Sequence, residues 1–112
     1  MKKVEAIIRP EKFEELKMAL TENGFVSMTV QDVRGRGTQG GIERQWRGRS
    51  YKVDLLPKIK IFIVAKDQEV ERLIGIIRDS VYTGGIGDGK IFVYPVDKAI
   101  TVRTGVVEEG VQ

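Results

Sequence analysis

An α+β sandwich, one four-stranded antiparallel sheet with two helices on one face, is the fold this sequence predicts. Two runs alternate apolar and polar residues with the period of a half-buried strand, and each leads into a segment of helical spacing. Each strand–helix pair is then followed by a further strand-like run. The 112 residues, 41% hydrophobic and 31% charged, supply one two-layer core and not two.

The first strand is Lys3 to Arg9, with Val4, Ala6 and Ile8 on one face and Lys3, Glu5 and Arg9 on the other. Pro10 suits a helix start, where the first turn needs no donor at that nitrogen. Phe13, Leu16 and Leu20 recur at helical spacing up to Gly24, a natural stop, so a helix is predicted over 11–23. A second strand is expected from about Phe25 to Arg34. The third follows Pro57 with Ile59, Ile61 and Ile63 inward. Asp67 is placed to cap a second helix whose apolar face is Val70, Leu73, Ile74, Ile77 and Val81. Gly75 inside that helix predicts close packing. A fourth strand is expected over Ile91–Tyr94, then a loose tail from Lys98.

The order β-α-β-loop-β-α-β makes two βαβ halves, the pattern of a ferredoxin-like sandwich. Its open sheet face would carry Ile7, Phe62 and Val64. Self-association is the simplest cover for it.

Between strands two and three, Gly35 to Lys58 shows neither helical nor strand periodicity. About twenty residues without structure of their own are unusual where connections typically run about 4–6. From Arg36 to Asp54 the segment holds Arg36, Arg44, Arg47, Arg49 and Lys52 against Glu43 and Asp54, a balance equal to the +3 of the whole chain. Trp46, the single tryptophan, and Tyr51 sit among these charges. Aromatic anchors ringed by arginine are what protein interfaces use.

Composition excludes much. There is no cysteine and no histidine, which removes disulfides, thiolate chemistry, the commonest general base and the commonest metal ligand. No apolar run approaches the roughly 20 residues of a membrane span, and the start has no signal-like apolar stretch. A cytoplasmic protein is expected.

Nine of the thirteen glycines fall in two stretches. Gly35-x-Gly37-x-x-Gly40 has the spacing of a dinucleotide fingerprint, but no helix follows it. Gly84-x4-Gly89-Lys90 has most of a P-loop, but it leads from helix to strand, and Ile91 stands where a hydroxyl is needed. The underlying physics remains. Glycine-rich backbone can turn successive N–H groups inward as an anion nest. Four glycines exceed what a helix cap and a tight turn require. Lys90 is expected to be the nest's one nearby cation.

The sequence Thr83 to Val93, TGGIGDGKIFV, resembles the signature of the PII signal-transduction proteins, and WRGRSY at 46–51 is similar to that family's loop signature. The likeness runs nearly end to end, through Met1–Pro10, Met28–Val30, Leu56–Lys58 and Arg103–Gly105. Three substitutions separate the loop motif from the family's: Trp46, Arg49 and Ser50.

The resemblance implies a ferredoxin-like homotrimer with ATP or ADP bound between subunits, one domain over 1–112, a T-loop over 37–55 and a C-terminal loop over 99–112. The implied nucleotide residues are Ile7, Met28, Thr29, Gly35, Gly37, Thr38, Gln39, Val64, Thr83, Gly84, Gly85, Ile86, Gly87, Asp88, Gly89, Lys90 and Arg103. For the effector 2-oxoglutarate they are Gln39, Gly40, Gly41, Lys58 and Gly87, with Gln39 also holding Mg2+. Arg44, Trp46, Arg47 and Arg49 would meet the partner, an ammonium transporter or a nitrogen-metabolism enzyme such as glutamine synthetase. Tyr51 stands where bacterial members are uridylylated. What is implied is thus a non-enzymatic sensor of nitrogen, carbon and energy status, with no nucleic acid bound and a membrane reached only through a transporter.

Thr38 and Thr101 replace arginines common in the family, and Phe62 replaces a glutamate. Each lost charge-assisted hydrogen bond removes roughly 1.5–3 kcal/mol of phosphate or adenine binding. The missing arginines favour an alternative, a PII-like adenine-nucleotide sensor of another small effector, while Gln39, Lys58 and Tyr51 favour the first reading. An ATP-hydrolysing enzyme lacks paired carboxylates beside the loop. An RNA-binding domain would need aromatics on the sheet, where Phe62 stands alone in this reading.

Overall fold

The computed structural model describes residues 1–36, 42–53 and 55–109, and of 42–46 and 49–53 the backbone alone. Strand β1 (Lys2–Ile8) leads through a single 3-10 turn (Pro10–Lys12) into helix α1 (Phe13–Glu22). Strand β2 is Thr29–Gly35, four residues later in starting than the alternation suggested. Then come β3 (Ile42–Trp46), β4 (Arg49–Val53) and β5 (Leu56–Ala65). A 3-10 turn (Asp67–Glu69) opens helix α2 (Val70–Val81), which is followed by β6 (Gly89–Pro95), β7 (Lys98–Ile100) and β8 (Val107–Glu109).

The four-stranded sheet has the order β2-β5-β1-β6, antiparallel throughout, as the ferredoxin-like reading requires. One face buries Val4, Ala6, Ile8, Ile61, Ile63 and Ala65 against Leu16 and Leu20 of α1 and Val70, Leu73, Ile77 and Val81 of α2. Each fully buried aliphatic side chain of this kind contributes about 1.5–3 kcal/mol. Both helices therefore lie on that face, with Ile59 and Ile74 packed at its margin.

Local chemistry sets the boundaries. Arg9, preceding proline, is extended (φ −65°, ψ 136°), which ends β1 before the turn. Helix α1 stops in a Schellman arrangement: Phe25 N donates to Leu20 O (2.8 Å) and Gly24 N to Thr21 O (3.2 Å). Pro57 is tolerated within β5 because it pairs with β2 alone, where β5 runs past the end of β1 at Ile59.

The structure corrects several expectations. Asp67 does not cap α2. Its carboxylate accepts from the N-terminal amine of Met1 at 2.6 Å, with Lys2 Nζ at 3.7 Å. The Met1 ammonium holds its carboxyl below the usual aspartate range. Gly75 does not mark close packing, since among the described residues a Cβ there would meet nothing within 4 Å. The stretch after Gly35 is not without structure, because β3 and β4 form an antiparallel hairpin. Its two-residue turn, Arg47–Gly48, has positive φ at both positions (51° and 75°), the combination that matches strand twist in hairpins. The tail is also a hairpin, β7 with β8, closed by Gly105 N donating to Thr101 O at 2.7 Å.

The open face carries Ile7, Phe62 and Val64 as expected, and also Phe92 and Tyr94, which the sequence reading overlooked. In register across the sheet, Phe62 faces Glu5 and Glu5 faces Phe92, while Val64, Lys3 and Tyr94 form the next row. Glu5 is buried (7% exposed). It accepts from Tyr94 Oη at 3.1 Å and pairs with Lys3 (3.6 Å) and Lys60 (3.9 Å). That hydrogen bond, together with desolvation, raises the Tyr94 pKa. No helix among the described residues is long and apolar enough to cross a membrane.

Candidate functional site

Residues 83–90 join the end of α2 to β6, at the end of the sheet where β1 also finishes. The bend is stitched by its own side chains. Thr83 N and Gly84 N donate to Asp88 Oδ2 at 2.8 and 2.9 Å, the Thr83 hydroxyl donates to Asp88 Oδ1, and Gly85 N donates to Thr83 Oγ1 at 3.1 Å. These bonds, the Thr83 hydroxyl first, hold the Asp88 carboxyl far below the usual carboxylate range.

Two cations from the sheet complete the loop. Arg9 donates from Nη2 to Ile86 O (2.7 Å) and from Nε to Asp88 Oδ1 (3.3 Å). Lys58, half-buried on β5, donates to Gly87 O at 3.1 Å. Lys90 is therefore not the loop's one nearby cation. The sequence reading missed Arg9 because it lies 77 residues from its partner Ile86 in sequence.

At the loop's other end, Gly89 enters β6 with φ +114°, and a Cβ there would lie 1.9 Å from the Ile7 carbonyl oxygen. Only a residue without a side chain lets β6 begin so close to β1. The backbone is thereby fixed where it turns into the sheet.

Beside the loop lies a cleft of about 430 Å³, lined by Ile7, Gly35, Arg36, Leu56, Lys58, Ile86, Gly87, Gly89, Lys90 and Phe92. Of its apolar members, Ile7, Leu56 and Phe92 sit on the open sheet face and Ile86 on the loop, and its cations are Arg36, Lys58 and Lys90. Among the described residues the N–H groups of Ile86 and Gly87 have no protein acceptor. Amides without acceptors on glycine-rich backbone, in a cleft lined by two lysines, are the chemistry of a phosphate or carboxylate site. The thirty-odd heavy atoms of a nucleoside triphosphate suit a cleft in the ordinary ligand size range of about 300–1,000 Å³.

Of the expected nucleotide residues, Ile7, Gly35, Ile86, Gly87, Gly89 and Lys90 come together in this cleft, with the effector residue Lys58. Thr83, Gly84, Gly85 and Asp88 belong to the same loop but spend their polar groups on each other. Met28, Thr29 and Val64 do not line it: Thr29 pairs with Phe62 farther along the sheet, and Val64 is one row beyond. Arg103 is exposed in the turn between β7 and β8, also away from the cleft. Gly37, Thr38, Gln39, Gly40 and Gly41 lie outside the described residues, and the expected Mg2+ ligand falls with them. Arg44, Trp46, Arg49 and Tyr51 lie on β3 and β4, and Arg47 is exposed at their turn.

The family model for nitrogen regulatory protein P-II matches residues 1–106. The chain is 54% identical over 105 residues to nitrogen regulatory protein P-II 2 of Methanothermobacter thermautotrophicus, covering 94% of this chain and 91% of that protein. It is 49% identical to nitrogen regulatory protein P-II of Pasteurella multocida and 50% identical to that of Azospirillum brasilense, in both cases covering 94% of each chain.

Proposed function

The chain belongs to the nitrogen regulatory protein P-II family, and from that premise we propose that it is a homotrimeric, non-enzymatic signal-transduction protein. It binds ATP or ADP at the 83–90 loop, with Mg2+ and 2-oxoglutarate as further ligands. Through the segment bearing the β3–β4 hairpin it regulates an ammonium transporter or a nitrogen-metabolism enzyme.

The observation that carries the reading is the cleft itself. It joins amides without acceptors, two lysines and an apolar wall. The apolar wall suits a base and the amides and lysines suit phosphate oxygens. Residues expected to touch nucleotide but remote from the cleft, Met28, Thr29, Val64 and Arg103, support assembly, because a neighbouring subunit would bring them. The open face, with Phe92 at 40% and Tyr94 at 42% exposure, is apolar enough to favour the same assembly.

Thr38 and Thr101, standing where the family commonly carries arginine, support a second reading, a PII-like adenine-nucleotide sensor of another small anion. Phe62, with Lys3 Nζ 4.4 Å from its ring centroid, bears on the adenine side instead.

Light scattering and calorimetric titration with ATP, ADP and 2-oxoglutarate test the proposal together. The expected result is a trimer that binds adenine nucleotide, with 2-oxoglutarate binding enhanced by Mg-ATP. A monomer that binds none of these overturns it. Nucleotide binding without any response to 2-oxoglutarate selects the second reading.

A further inference from the structure

Arg9 follows β1 immediately before Pro10, and its guanidinium lies inside the bend of the 83–90 loop. It donates to the Ile86 carbonyl at 2.7 Å and to the Asp88 carboxylate at 3.3 Å. Its flanks are equally close to backbone: a Cβ at Gly85 or at Gly87 would stand 3.4 Å from Nη2. The loop is folded around a planar, multiply donating group, with Gly85 and Gly87 in contact range on either side of it.

The consequence follows from the peptide bond. The Ile86 carbonyl and the Gly87 N–H belong to one planar trans unit and point in opposite directions. By holding that carbonyl, Arg9 turns the Gly87 N–H to the side away from itself. Gly87 lines the cleft and Arg9 does not. The same guanidinium fixes Asp88, which fastens Thr83 and Gly84 at the loop's beginning. One side chain, held where β1 gives way to the Pro10–Lys12 turn, thus orders both limbs of the bend.

We propose that Arg9 is the positioning residue of the phosphate-binding loop: with Asp88 it forms an internal clasp that aims the Gly87 amide into the cleft, without itself touching the phosphate. The inference rests on the reading of the cleft as a nucleotide site. It assigns Thr83 and Asp88 to the scaffold of that site and not to ligand contact. Lysine cannot replace Arg9, because a single ammonium lacks the fork needed to hold carbonyl and carboxylate together.

The test uses the full chain with Arg9→Ala, Arg9→Lys, Asp88→Ala and the Arg9→Ala/Asp88→Ala pair. Nitrogen-15 relaxation of the Gly85 and Gly87 amides is measured without ligand, and ATP affinity is measured over a range of salt concentrations. Both Arg9 variants should loosen the loop amides and weaken ATP at least about tenfold, the scale of one charge-assisted contact. The double variant should be little worse than either alanine single variant, since both break one clasp. The salt dependence of binding should stay that of the parent, because no phosphate ion pair has been removed. Unchanged amide order in Arg9→Ala and Arg9→Lys overturns the proposal. So does an affinity loss with intact amide order and reduced salt dependence, which makes Arg9 a direct anion ligand. If Arg9→Ala fails to fold, Arg9→Lys carries the same comparison. A parent protein that binds no ATP defeats the nucleotide reading, while the relaxation arm still decides whether Arg9 holds the loop.

Discussion

Residues 83–90 and the β3–β4 hairpin are both built around glycine, yet they are held in different ways. The first is fastened to the sheet by side chains from two other elements, Arg9 after β1 and Lys58 on β5, and by the clasp of Asp88 on Thr83 and Gly84. The hairpin is a separate two-stranded sheet whose turn, Arg47–Gly48, is defined by backbone dihedrals. Glycine content signals only that the chain can bend sharply. Whether the bend is rigid depends on what reaches it from elsewhere. A loop that must present amides at fixed positions gains from such fastening, since preorganised donors need no reordering when an anion arrives.

Alanine at Gly89 is the strongest way to break this comparison. A Cβ 1.9 Å from the Ile7 carbonyl, at φ +114°, forces β6 away from β1. Gly89→Ala should lower global stability by about 3 kcal/mol or more in urea denaturation, in the upper range for single substitutions. Stability equal to the parent's would mean the loop is not anchored at that point.

Lys90→Ala removes one of the cleft's cations but leaves Lys58 and Arg36. ATP affinity should fall about tenfold, less than if Lys90 were the sole cation, with the melting temperature of the ligand-free protein nearly unchanged. Calorimetry and a thermal melt decide it. An unaltered affinity would move the phosphate out of this cleft.

Gly48→Ala sharpens the contrast. This glycine also has positive φ (75°), but among the described residues a Cβ there meets nothing within 4 Å. The strain is local to the hairpin, so the urea midpoint should change by less than about 0.5 kcal/mol in equivalent stability. A loss as large as that of Gly89→Ala would show that the hairpin is part of the main cooperative unit.

The smallest effect concerns pH. Asp88 has a depressed folded-state pKa. Its clasp is therefore fully favourable above the unfolded value near 4 and is lost only as pH falls through the lower folded value. The Gly84 amide resonance should keep its position down to about pH 3. A transition centred near pH 4 would mean that the clasp is not formed.

Much of the fold was legible because periodicity reports burial directly. Val4, Ala6 and Ile8, and Val70, Leu73, Ile77 and Val81, are buried where their spacing placed them. The same logic, applied to the alternate positions of the predicted strand Ile91–Tyr94, would have put Phe92 and Tyr94 on the open face. The hairpin in 42–53 escaped because its signal is a two-residue turn and not an apolar alternation. Asp67 was misassigned because a helix cap and an ion pair call for the same residue. The choice was made by the N-terminal amine, 66 residues away in sequence. In the candidate site, Gly84 to Lys90 was readable as anion-binding backbone, while Arg9 was not, since nothing in strand β1 announces what the side chain after it will meet.

The sequence by itself determined the two helices, the inward faces of β1 and β5, the exclusion of thiol and imidazole chemistry, and the glycine loop. Each of these follows from residue type and local spacing. The tertiary structure decided which amides of that loop remain available, which cations face the cleft, and that Thr83 and Asp88 serve each other. Those depend on groups brought together from β1, β5 and the α2–β6 junction, and pairings across such sequence distances are fixed only when the sheet register is.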